Sequence, residues 1–243
     1  MIEYICALLL IMNKYIVLIA ALMIAIGVEA QTNSSTNKKS SFSKPSKDYV
    51  MIQLGYENWT NVPDSIKIGS LGRAANVYLC NEFPIQKSNF SFSGGIGVAT
   101  SHIFLKNQEI VLNDTVSAIQ FKTESADYKK YKYATTYLEA PFELRYFENK
   151  ENKNTGFKAA IGLKVGAVIA AHTKSKQTIS NKPVVEKVST RRYVESYRYA
   201  ATARIGYGNF FIYGQYAINN LFKIASGPEN IKPFQVGICI TGL

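Results

Sequence analysis

Cysteine is scarce, with three in 243 residues, and Cys6 lies in the N-terminal apolar segment. The remaining two, Cys80 and Cys239, are too few for the disulfide framework of a small secreted domain. Histidine is scarcer still. His102 and His172 are alone, and no His, Cys or carboxylate spacing fits a metal site. Gly94-Gly95-Ile96-Gly97 resembles a phosphate loop only superficially, because it sits inside a strand pattern with no helix after it. No cofactor and no metal is therefore expected. Beyond residue 30 no apolar run approaches the ~20 residues of a spanning helix.

What is present begins with an apolar run over 16–28, preceded by Lys14 and closed by Val28-Glu29-Ala30. Small residues before a cleavage point mark a signal peptide, 1–30, with Met12 as an alternative start. Removing Glu3, Lys14 and Glu29 raises the formal charge from +11 to +12. An exported chain of that charge meets acidic lipid headgroups or polyanionic glycans, and no nucleic-acid partner is expected. Residues 31–48 are almost all Gln, Thr, Asn, Ser, Lys and Pro. Such a stretch buries too little to offset its ordering entropy and reads as a disordered periplasmic tether.

Residues 49–243 read as eight amphipathic strands near 49–59, 71–83, 90–104, 131–147, 157–172, 192–208, 210–219 and 232–243. Their connections alternate: 84–89, 148–156 and 208–209 are short, whereas 60–70, 106–130, 173–191 and 220–231 are long. Short turns on one side and longer loops on the other are the pattern of an eight-stranded antiparallel up-and-down transmembrane β-barrel, an all-β fold. Both chain ends then fall on the short-turn side, which in an outer membrane is the periplasm.

Period-two alternation assigns the faces. Phe90, Phe92, Ile96 and Val98 share one side of the third strand, and Leu163, Val165, Ala167 and Ile169 one side of the fifth. Ionisable residues gather opposite those stripes. Glu139, Glu143, Arg145, Lys158, Lys164, Arg198 and Arg204 lie on three neighbouring strands, so they form an expected ion-pair cluster in the lumen, with Glu57 or Glu82 as further acidic partners. An eight-stranded barrel is about wide enough for its own side chains, which favours a filled plug over an ion path. Cys80 and Cys239 fall on strands that each flank the first. Two strand spacings of ~4.8 Å exceed the reach of a disulfide, so two free inward thiols are expected.

Aromatics collect near strand ends. Tyr56, Trp59, Phe104, Tyr131, Tyr133, Tyr197 and Tyr216 are assigned to an outer girdle; Phe83, Phe90, Tyr146, Phe157, Tyr207, Phe210 and Phe234 to an inner one.

Five segments carry a family likeness: Asp48-Tyr49-Val50-Met51-Ile52-Gln53-Leu54-Gly55-Tyr56, Leu71-Gly72-Arg73, Thr136-Tyr137-Leu138-Glu139-Ala140-Pro141-Phe142-Glu143-Leu144-Arg145-Tyr146, Ala203-Arg204-Ile205-Gly206-Tyr207-Gly208 and Val236-Gly237-Ile238-Cys239-Ile240-Thr241-Gly242-Leu243. They resemble the outer-membrane β-barrel (porin-like) family common in Bacteroidetes, over nearly the whole mature chain. The resemblance implies a Gram-negative outer-membrane location and no catalytic motif. The terminal Leu243 departs from the Phe that ends many such barrels.

Three functions are weighed. The first is a structural or surface-binding barrel that contacts outer-membrane lipid and meets an extracellular glycan or protein ligand through loops 106–130 and 173–191. The second is a narrow channel for small anionic solutes. The third is a surface hydrolase using His102 or His172 with Ser101, Asp114 and Asp127 nearby in sequence. The first is preferred, and the chain is expected not to be an enzyme.

Overall fold

A computed structural model describes residues 49–242 apart from 70, 87, 112–117, 124–127, 150–151 and 180–181. The signal peptide 1–30, the tether 31–48 and Leu243 lie outside the described residues. Eleven strands are present among the described residues: β1 (Val50–Thr60), β2 (Gly72–Pro84), β3 (Phe90–Leu105), β4 (Gln108–Val111), β5 (Gln120–Thr123), β6 (Tyr128–Phe147), β7 (Phe157–Ile179), β8 (Lys182–Ser189), β9 (Tyr197–Tyr207), β10 (Phe210–Ala217) and β11 (Lys232–Thr241). Eight of them close into one antiparallel barrel in the order β6-β3-β2-β1-β11-β10-β9-β7, with β7 returning to pair with β6. The alternation in the sequence predicts this fold, and closure leaves no open edge among the eight.

The three additional strands correct the expected loops. Residues 106–130 hold the β4–β5 hairpin, and 173–191 hold the far end of β7 and its return β8. Pairing continues there because the alternating Thr173-Lys174-Ser175-Lys176 run keeps a strand pattern beyond the apolar belt. The sixth barrel strand starts at Tyr197 rather than near 192, since the chain turns at Tyr193 and Val194 to bridge Phe222. Gly208 makes the two-residue turn into β10 at φ 60°, the left-handed region that glycine enters freely.

Exposure follows parity closely. Leu163 is 54% exposed and its neighbour Lys164 is 0% exposed. Leu54, Val77, Phe92, Phe142, Ile161, Ile205, Ile212 and Ile238 form the outward apolar belt. One break in parity matters. Tyr137 pairs with Val168 but Thr136 with Ala170, so Ile169 is the extra residue of a bulge. Above it the faces of β7 swap: Thr173 and Ser175 turn inward and are buried, while His172, Lys174 and Lys176 turn outward.

Candidate functional site

The lumen is filled in layers. At the waist, β6 presents Glu139 and β9 presents Arg198, whose Nε and Nη2 donate to Glu139 Oε1 at 2.8 and 2.5 Å. Tyr78 from β2 donates its hydroxyl to Glu139 Oε2 at 2.7 Å. Lys164 Nζ donates to Gln53 Oε1 at 2.8 Å, Gln215 Oε1 at 2.6 Å and the Tyr78 hydroxyl at 3.1 Å. It therefore meets Glu139 through Tyr78, not by a direct ion pair, because two amide oxygens stand closer to its ammonium. Glycine makes the room: a Cβ on Gly97 would lie 2.5 Å from the Tyr78 ring, and one on Gly166 would lie 2.6 Å from Glu139 Cγ.

One layer toward the short turns, Glu143 accepts from Arg145 Nε at 2.9 Å and from Arg204 Nη2 at 3.0 Å. Arg145 also faces Glu82 at 3.8 Å, and Lys153 in the 148–156 turn bonds Glu82. Lys158 lies 5.6 Å from the ring centres of both Phe147 and Phe211. Glu57, on the loop side of the waist, accepts from Gln235 Nε2 at 2.7 Å and from Ser101 Oγ. The seven cluster residues are all buried. Met51, Tyr78, Cys80, Phe211, Tyr213 and Cys239 pack beside them, with both thiols free.

The long-loop mouth is closed by different chemistry. Trp59, Tyr133 and Phe222 meet edge-on or tilted, with centroids 5.8 to 6.2 Å apart. Ile66, Ile103, Ile110, Ile119, Tyr193, Leu221 and Ile231 complete this apolar cap. Every long connection contributes to it. Backbone bonds stitch the connections together: Ile119 N to Ser226 O at 2.9 Å, Glu195 N to Leu221 O at 3.0 Å, and Lys223 N to Tyr193 O at 2.9 Å.

This cap corrects the girdle assignment. Trp59, Tyr131 and Tyr133 share parity with Glu57 and Glu139, so they point inward and are buried. Phe234 opposes Asn58 and Tyr216 and packs 6.2 Å from Tyr56, which places it at the loop end rather than the turn end. Strand β11 descends from the loops, so its first residues belong to the upper rim. Tyr56, Tyr197 and Tyr216 remain exposed there, and Phe83, Phe90, Phe157, Tyr207 and Phe210 at the turn end.

The histidine site does not assemble. His102 and His172 flank Ala134 on the outward face, whereas Ser101 points into the lumen toward Glu57, as adjacent residues on a strand must. Asp114 and Asp127 lie outside the described residues. No group of three or more metal-ligating side chains occurs among the described residues.

A closed antiparallel wall, apolar outside and hydrogen-bonded and charged within, defines a membrane-spanning β-barrel. The family described as outer membrane protein beta-barrel domain matches residues 20–225, and the chain belongs to it. That membership puts the protein in the outer membrane. No curated protein and no solved structure matches the chain.

Proposed function

We propose that this protein is a surface-binding outer-membrane barrel of a Gram-negative, Bacteroidetes-type cell, with its long-loop end outside and both chain ends of the barrel in the periplasm. The observation that carries the reading is the mouth: four connections fold into one apolar cap instead of leaving an opening. A channel needs a continuous wet path, and the cap and the Glu139–Arg198 layer both lie across it. The closed lumen thus argues for a role played on the surface. Its class is non-enzymatic, consistent with a family defined by its wall and with Ser101 and His102 on opposite faces of β3.

A recess of about 200 Å3 lies between the β4–β5 hairpin and the inner face of β6, β7 and β8. Glu109, Glu186, Thr173 and Ser175 supply acceptors and hydroxyls, and Ile110 and Val188 supply aliphatic wall. Convergent polar groups beside a short aliphatic wall suit a polyhydroxylated ligand such as a glycan residue. Glycan-array binding of the detergent-purified barrel tests this. The parent is expected to retain a defined set of glycans that the Glu109→Gln/Glu186→Gln variant loses. Binding that survives this variant, or an array on which the parent retains nothing, overturns the reading.

A further inference from the structure

Outside the barrel, above the apolar belt, the described residues on the outward face of β2, β3, β6, β7 and β8 carry charge of one sign only. Lys132 on β6, Lys174 on β7 and Lys187 on β8 are directly opposed across three adjacent strands. At ~4.8 Å per strand spacing, the three ammonium stems start within ~10 Å of one another. The neighbouring row toward the membrane holds His102, Ala134 and His172, with Arg73 opposite His102. Ala134, between the two histidines, is only 1% exposed although it faces outward. No Asp or Glu lies on the outward face of β2, β3, β6, β7 or β8 among the described residues.

Like charges directly opposed across strands destabilise a sheet unless something answers them. Here they strain one another: burial, then the neighbouring Lys174 and Lys187, hold the Lys132 ammonium below the usual lysine range. A solvated basic face would spread its lysines. This one stacks them in register, and the bulge at Ile169 is what turns His172, Lys174 and Lys176 to this side. The height identifies the counter-charge. Val98 and Leu138 are the last outward pair apolar on both strands, followed by Thr100 and Thr136, the histidine row, and the lysine row, where Phe104 stands opposite Lys132. Six residues at ~3.4 Å on a wall tilted ~40° put the lysines roughly 15 Å above that pair. A phospholipid headgroup layer is only ~5–8 Å deep, so the cluster matches a taller, phosphate-bearing headgroup.

We infer that Lys132, Lys174 and Lys187, with Arg73, His102 and His172 beneath them, hold the phosphate groups of an outer-leaflet phosphorylated glycolipid against the barrel wall. The inference rests on the long-loop end facing outward.

Native mass spectrometry of the purified barrel tests it with four probes: diphosphorylated lipid A, the same lipid stripped of phosphate, phosphatidylglycerol, and inorganic phosphate. The parent is expected to retain diphosphorylated lipid A over the other three. Lys132→Gln/Lys174→Gln/Lys187→Gln should weaken that retention roughly a hundred-fold, given the attraction of each lysine to an anionic surface. The charge-matched Lys67→Gln/Lys223→Gln/Lys232→Gln should keep it. Heat-dependent gel mobility shows that each variant is folded. Equal retention with and without phosphate, or in the triple variant, overturns the site, and phosphatidylglycerol held as tightly as lipid A overturns the glycolipid. Orientation is read separately by labelling Lys182→Cys with a membrane-impermeant maleimide on intact cells. Failure to label overturns the outward reading itself, whatever lipid is retained.

Discussion

At the waist of the barrel Glu139 and Arg198 face each other with Tyr78 and Lys164 alongside, and nearer the loops Trp59, Tyr133 and Phe222 close the same lumen with ring edges. Barrel strands supply the waist, so each charge has an answer built into the wall. Strand ends and a distant connection supply the mouth, so its seal is a matter of filled volume. The two regions should therefore fail in different ways: a buried charge that loses its partner is costly even when no space opens, whereas a removed ring costs in proportion to the space it leaves.

The largest effects come from Glu139→Ala and Phe222→Ala, each expected to cost about 3–5 kcal/mol in urea unfolding of the reconstituted barrel. Their rescues separate them. Glu139→Leu with Arg198→Met removes both charges and should recover most of the loss, because an uncompensated guanidinium is the main cost of the single change. Phe222→Ala has no such charge partner, and it should also red-shift the emission of Trp59, the only tryptophan in the chain. If the double variant at the waist is no better than the single one, the contrast between the regions fails.

Next in size is the wall itself. Leu163→Arg puts a charge into lipid near mid-belt and should cost about 2–4 kcal/mol, measured by refolding into bilayers. Lys164→Gln, one residue away but inside, should cost about 1 kcal/mol, the scale of a few rearranged hydrogen bonds. Refolding in which the two variants exchange rank would break the face assignment on which both regions depend.

Much of the waist was legible in the sequence, and little of the mouth was. Alternation alone puts Lys164, Arg198 and Arg204 inside and Leu163 outside, because a two-residue period leaves no third choice. It could not show that Gln53, Tyr78 and Gln215 would take the Lys164 ammonium, since register across β1, β2, β7 and β10 is set only when the barrel closes. Ile169 hid the other limit. One extra residue reverses every face above it, and nothing in the Val168-Ile169-Ala170-Ala171 run marks where the bulge falls. Trp59, Tyr131 and Tyr133 were read as girdle from their place near strand ends, although their parity with Glu57 and Glu139 points inward. The partners that bury them, Phe222 and Leu221, come from a connection far away in the chain.

The central claim is that two unlike seals keep this barrel shut. Planar-bilayer recording of the purified protein tests it most directly, with Phe222→Ala and Glu139→Ala recorded beside the parent. Because each variant opens only one seal, all three proteins are expected to show no conductance steps above background. Discrete, reproducible steps from the parent would contradict the claim.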